Sequence, residues 1–436
     1  MTIKISYAAL FFQLVALQLP AAEFLDFGTL PEGWTPAGKN TKFGEKLKEY
    51  FPDPLSQGKI ILNSRLRYEY LDQDRFDTAN ALTWRTRLGY ETPKYFGVYG
   101  LAEFEGTWAI TSGDFDAFPP PAAGTPGLIP DPRNTQLNRL FLGWKAYNSH
   151  LRIGRQGINL DNQRFVGTVA WRQNDQTFDT LRAETNIIKD LYLSYAYVEE
   201  VLRIFGDEAP ASALRAFDSR SHLVNAAYTG LENISFHGYY YYLEFPNAAA
   251  FSSTTYGGFV KGTVPLSEGF AATYRAEIAS QQDNDGSPPG TDLSELYVHL
   301  IAGLKYEGYT LGLGYERLGG NGSAAFQTPL ATLHKFNGWA DVFLVTPPDG
   351  LEDFYVYGTA KVPFGVNLFG AAHYFTAEDR TDTYGYELDI GAKRKITENI
   401  SVLSKIAIYE GNGSFPVDGA LSDDRVRFWI QVDFNL

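Results

Sequence analysis

KIILNSRLRYEYLDQDRFDTANALTWRTRLGY, residues 59–90, is the stretch whose pattern decides the fold. Leu62, Ser64, Leu66, Tyr68 and Tyr70 fall on one side of an extended chain; Asn63, Arg65, Arg67 and Glu69 fall on the other. After a short break the pattern returns. Leu82, Trp84, Thr86, Leu88 and Tyr90 now oppose Thr83, Arg85, Arg87 and Gly89. Alternation with period two means that one face meets an apolar medium and the other meets water. A soluble sandwich would turn the charged face to bulk water, so these two runs fit either a sandwich or a membrane barrel. What joins the runs separates the two.

The same alternation recurs far along the chain. Leu296, Val298, Leu300, Ala302, Leu304 and Tyr306 oppose His299, Lys305 and Glu307. Tyr384, Tyr386, Leu388, Ile390 and Ala392 oppose Glu387, Asp389, Lys393 and Lys395. The last run sets Val426, Phe428, Ile430, Val432, Phe434 and Leu436 against Arg425, Arg427, Gln431, Asp433 and Asn435. Short and long connections take turns. Asn148-Ser149, Ile188–Asp190, Gly230–Asn233, Glu307-Gly308, Pro363–Gly365 and Thr397–Asn399 are short. Thr111–Thr135, Gly157–Asp175, Arg203–Ala216, Gln282–Asp292, Leu318–Gly350 and Gly411–Asp424 are long. Outer-membrane barrels sort their connections this way, with tight periplasmic turns and long extracellular loops. The expected fold is therefore an all-β transmembrane antiparallel barrel of about 18 strands over residues 59–436. The count falls to 16 if the least regular runs, such as Gln176–Ile187 and Thr254–Val264, are not strands. Tyr90, Tyr95, Trp108, Trp144, Tyr147 and Tyr309 sit near strand ends, as interfacial girdles require.

Composition agrees. The chain has 436 residues, no Cys and one Met, which removes disulfide frameworks, thiolate metal sites and cysteine nucleophiles. A net charge of −14 argues against a nucleic-acid partner. At the N-terminus Lys4 precedes the apolar run Ile5–Leu19 and then Pro20-Ala21-Ala22, the order of a secretory signal. Residues 1–22 are read as that signal, and the Gly- and Pro-rich residues 23–58 as a periplasmic leader or a segment tucked into the lumen. The alternating last strand, ending at Leu436, resembles the signal by which barrel-assembly machinery takes up such chains.

Closing the sheet brings the first strand beside the last. Arg65 and Arg67 then neighbour Arg85 and Arg87 on one side, with Arg425 and Arg427 on the other. These six form a basic stripe in the bore, with Glu103 and Glu105 next to it. Arg275, Lys305, Lys361, Lys393, Lys395 and Lys405 add a second basic contribution. Such a stripe offers bidentate sites for carboxylate or phosphate. The bland reading is internal pairing that stiffens the wall: Arg85 or Arg87 with Glu69 or Glu103, and Lys393 with Glu387 or Asp389. Between Arg152 and Arg182 the chain reads RIGRQGINLDNQRFVGTVAWRQNDQTFDTLR, with Arg152, Arg155, Arg164, Arg172 and Arg182 among amides and glycines. A loop so rich in donors is expected to fold inward and narrow the pore, the alternative being a cap on the outer rim.

That stretch resembles the alginate export family of outer-membrane porins. The resemblance rests on RIGRQ at Arg152–Gln156, Trp171-Arg172-Gln173, Gln176–Asp179, FNGWADVF at Phe336–Phe343 and YGYELD at Tyr384–Asp389. It implies an 18-stranded monomeric barrel in the outer membrane, with an electropositive constriction that passes anionic polysaccharide or related anions. It also makes Arg152, Arg155 and Arg172 candidate constriction arginines. The partners implied are outer-membrane lipid and anionic small molecules or polysaccharide, with no cofactor, no metal and no enzymatic activity.

Two other readings stay open. A structural or adhesive barrel would be plugged by residues 23–58 or by Leu318–Gly350. A rim-active barrel hydrolase would need a histidine beside an acid or serine at the extracellular rim, and the six histidines are scattered singly: His150, His222, His237, His299, His334 and His373. Asp283, Asp285 and Asp292 are weighed for Ca²⁺ and read as solvated loop charges.

Overall fold

The computed structural model describes residues 57–111, 113, 115–116, 124–378, 382–412 and 421–436. The expected signal segment and the leader up to residue 56 lie outside them. The barrel opens with β1 (Lys59–Gln73), β2 (Ala79–Glu91), β3 (Val98–Ala109), β4 (Asn134–Ala146), β5 (Ser149–Gln156) and β6 (Thr177–Thr185). It continues through β7 (Leu191–Leu202), β8 (Ala216–Leu231), β9 (Ile234–Leu243), β10 (Ser253–Ser267), β11 (Phe270–Gln282) and β12 (Ser294–Tyr306). The last six strands are β13 (Tyr309–Leu318), β14 (Leu351–Val362), β15 (Val366–Thr376), β16 (Thr383–Lys395), β17 (Ile400–Gly411) and β18 (Arg425–Asn435). Each strand pairs antiparallel with its sequence neighbours, and β1 also pairs with β18. The cylinder is closed and leaves no free edge.

Side chains alternate as the pattern requires. Leu66, Trp84 and Leu88 are exposed on the outer face, while Arg67, Glu69 and Arg85 are buried on the inner one. Tight turns bend at the periplasmic end; Tyr147 and Asn148 both adopt positive φ, the conformation that matches a two-residue hairpin turn to strand twist. One expected face is wrong. Tyr384 does not join Tyr386 and Leu388 outside; it is fully buried, and its hydroxyl donates to the Gly350 carbonyl at 2.9 Å. The β15–β16 register shifts between Phe375 and Thr376, and this bulge reverses the alternation at the strand's first residues.

The largest buried apolar cluster lies inside the cylinder. Ile158, Val166, Phe326, Leu330 and Phe343, all from connecting segments, pack against inward-facing Phe178, Tyr241, Tyr297, Tyr409 and Trp429. Two long loops, 157–176 and 319–350, therefore run into the bore and occupy its outer half.

Candidate functional site

The basic stripe forms as the closure demands: Arg65 stands directly across from Arg85 on one side and Asp433 on the other. Most of its guanidinium groups are spoken for. Arg65 donates from Nε to Asp433 at 2.8 Å and from Nη1 to the carbonyls of Ala170, Trp171 and Arg172 at 3.0–3.2 Å. Arg67 holds Gln431 at 2.9 Å, Asp131 at 3.4 Å and the Trp171 carbonyl. Arg87 pairs with Glu105 and Asp175. Arg425 donates to the carbonyls of Ala340 and Asp341, each at 3.0 Å, and Arg427 to Glu69 at 2.9 Å. Arg85 is the exception: it reaches Asn63, but its buried Nε and Nη1 have no partner.

The expected internal pairs are thus partly wrong. Glu69 serves Arg172 and Arg427 rather than Arg85 or Arg87, and Glu103 serves Arg139 and Asn138. Lys393 pairs with neither Glu387 nor Asp389. Those carboxylates accept the Ala340 and Trp339 backbone N–H groups at 2.7 and 3.1 Å, which docks the 319–350 loop on the wall.

The 157–176 loop is tied down at both ends of its traverse. Arg164 meets Glu316 of β13 at 2.7 Å and also donates to Thr328 and Asn337, both at 3.1 Å. Arg172 meets Glu69 at 3.0 Å and Asp341 of the other loop at 2.7 Å. Burial opposes the Arg172 charge, yet Glu69, Asp131 and Asp341 outweigh it and raise its pKa above the ordinary value. Burial likewise opposes charge on Asp341, and His334, Arg172 and Arg427 hold it well below the usual carboxylate range. Burial and then Lys405 push His334 down to about 3, so the imidazole is neutral. It donates from Nδ1 to Asp341 at 2.8 Å and accepts at Nε2 from Lys405 at 2.8 Å.

The periplasmic half is different. Lys261, Lys305, Lys361 and Lys393 face the bore exposed, and none makes an ion pair among the described residues. Lys261 and Lys305 line a recess of about 430 Å³ together with Ser235, Thr273 and Arg275. Arg275 is itself bound to Glu277 at 2.6 Å.

Solved porins have a similar closed cylinder. OccAB4 of Acinetobacter baumannii superposes with a TM-score of 0.68 at 13% identity, over 88% of this chain and 100% of that one. OpdL of Pseudomonas aeruginosa gives 0.65 at 14%, over 88% and 99%, and OpdK of the same organism, solved with vanillate, gives 0.67 at 13%, over 88% and 99%. No curated protein sequence matches. Residues 62–244 match the alginate export family. The chain has the fold of the outer-membrane porins, and its first half resembles the alginate export family. The family match spans the first nine strands and the 157–176 loop, and stops short of the 319–350 loop and β18.

Placed on this porin-fold barrel, the motif arginines separate. Arg152, Arg155 and Arg182 lie on strands rather than in the loop. Arg152 faces Arg182 across β5–β6, and both bind the inward Glu184. Arg155 does not line the bore. It shares the outer face with exposed Leu151 and Ile153 and pairs with Asp179 at 2.8 Å. Three residues separate Arg152 from Arg155, and a period-two strand sends them to opposite faces. Only Arg172 of the three candidates stands at the heart of the bore.

What sequence reading missed is the acceptor set: Asp131, Glu316 and Asp341, and on the basic side Lys261. Asp341 lay within FNGWADVF, a patch quoted only for its family likeness. Two histidines meet acids: His334 meets Asp341 at 2.8 Å and His373 meets Asp353 at 2.9 Å. Ser235 Oγ lies 3.0 Å from His237 Nε2, but His237 Nδ1 is 3.6 Å from Asp161, beyond the hydrogen bond that would hold the ring as a base. The pair lies toward the periplasmic end, not at the extracellular rim. Among the described residues no group of three or more His, Asp or Glu is placed to hold a metal ion.

Proposed function

We propose that this barrel is a non-enzymatic porin that passes anionic solutes, sugar acids or acidic oligosaccharides, by diffusion past a positively charged lumen wall. The carrying observation is the row of unpaired lysines, Lys261, Lys305, Lys361 and Lys393, in the periplasmic half of an acidic protein. A cation with no internal partner is neutralised by whatever ion enters, and a low-dielectric wall concentrates that attraction. Arg85, buried in the wall with Nε and Nη1 unpartnered, adds positive charge behind the surface that the solute meets. Two likenesses support the solute class: the family is described by alginate export, and OpdK was solved with vanillate, a carboxylate. In this reading residues 1–22 direct export, the assembly machinery inserts the chain, and one monomer forms one channel.

The plugged-barrel alternative has its own observation, the two loops that fill the outer half of the bore. One recording decides between them. In a planar bilayer under a KCl gradient the purified protein should conduct with a reversal potential on the anion side, and uronate oligomers should reduce the chloride current. Cation preference would overturn the solute class, and absence of any conductance would make the barrel a plugged one.

A further inference from the structure

Lys405 belongs to β17 and points into the bore, yet it is 5% exposed and makes no ion pair among the described residues. Its ammonium has three N–H donors and one conventional acceptor, His334 Nε2 at 2.8 Å. Aromatic faces take the rest. The nitrogen stands 3.6 Å from the ring centroid of Trp339, 4.3 Å from Trp171 and 5.3 Å from Trp429. Trp171 stacks on His334 at 4.3 Å with 6° between planes, and Trp429 meets both rings edge-on. These rings come from three places: Trp171 from the 157–176 loop, Trp339 and His334 from the 319–350 loop, and Trp429 from the neighbouring wall strand. Arg67 lies over the Trp171 ring at 4.1 Å and grips that residue's carbonyl.

A cation in a desolvated aromatic cage gains far more than one at an exposed site. Water does not reach this one, so it is not placed to touch a passing solute. An apolar side chain in its place would leave ring faces and a neutral imidazole acceptor without their shared partner. We propose that Lys405 is a positioning residue, a cation–π bolt that fastens both inward loops to the β17–β18 wall and so sets the width of the pathway they leave. The effect on current rests on the reading of the barrel as a conduit; the fastening itself does not.

The test therefore reads both. Hydrogen exchange on the full-length protein in detergent should show the peptides containing Trp171 and Trp339 exchanging roughly tenfold faster or more in Lys405→Met. Lys405→Arg, which keeps a cation over the rings, should restore much of the protection. In bilayers Lys405→Met should conduct more and fluctuate more, with its reversal potential unchanged. Unaltered exchange in both loops would overturn the bolt, and so would a shifted reversal potential with loop protection intact, which would make Lys405 a solute contact. Should wild type fail to conduct, the porin reading falls while the exchange result still decides the bolt. If Lys405→Met does not fold, Trp339→Leu leaves the wall untouched; it should free the 319–350 loop around residue 339, and unchanged protection there would equally overturn the proposal.

Discussion

Arg65, Arg67 and Arg87 in the middle of the bore and Lys305, Lys361 and Lys393 toward its periplasmic end carry the same charge and face the same space, but they do different work. Each of the three arginines is divided among several acceptors, and the loop carbonyls at 170–172 are among them. The lysines have no acid partner among the described residues. Part of the difference is chemical. A guanidinium is a planar fork that can bind a carboxylate and two carbonyls at once, whereas an ammonium on a flexible stem remains hydrated and available. The comparison teaches that a basic stripe seen in sequence can be scaffold, and that the proposed anion selectivity rests on the residues with spare charge.

The comparison breaks most visibly at Arg172, where one buried cation ties both loops to the wall. Arg172→Leu takes one shared cation from Glu69 and Asp341 and leaves them to Arg427, and removing one partner of a buried pair costs about 3 kcal/mol or more. The expected result is a clear fall in the thermal unfolding midpoint in detergent, read by loss of β-sheet circular dichroism. A midpoint equal to wild type would mean that the loops contribute little to stability.

The next effect is on selectivity. Lys305→Gln, Lys361→Gln and Lys393→Gln together should move the reversal potential toward that of a non-selective pore at unchanged unfolding midpoint. Arg65→Gln alone should move it less and cost stability instead. The reverse ranking would show that the paired arginines carry the field after all.

The smallest effect sharpens the inside–outside assignment. Arg155→Gln removes a half-exposed pair on the outer face, and such pairs contribute less than about 1 kcal/mol. Conductance, selectivity and midpoint should all stay near wild type; altered current would place Arg155 in the pathway.

Much of the wall was legible because a strand has a period of two and charge on a lipid-facing row is costly. The Arg65–Arg85 adjacency follows from closure alone, and so does the approach of Arg425 and Arg427. Arg155 shows the same rule left unapplied: a spacing of three from Arg152 already forbade a common face. Tyr384 was not legible, since a bulge leaves no mark in the alternation around it. Nor were the acceptors of the loop arginines. Arg172 finds Glu69 at a separation of 103 residues, and Arg164 finds Glu316 at 152.

From the order of residues alone came the strands, the face each side chain takes, the alternation of turns with loops and the closure of the cylinder. All of these depend on local geometry and on the medium outside. Which cations are neutralised and which are free was decided only when two loops folded back into the bore, because an ion pair forms across space and the path of a loop has no period to read.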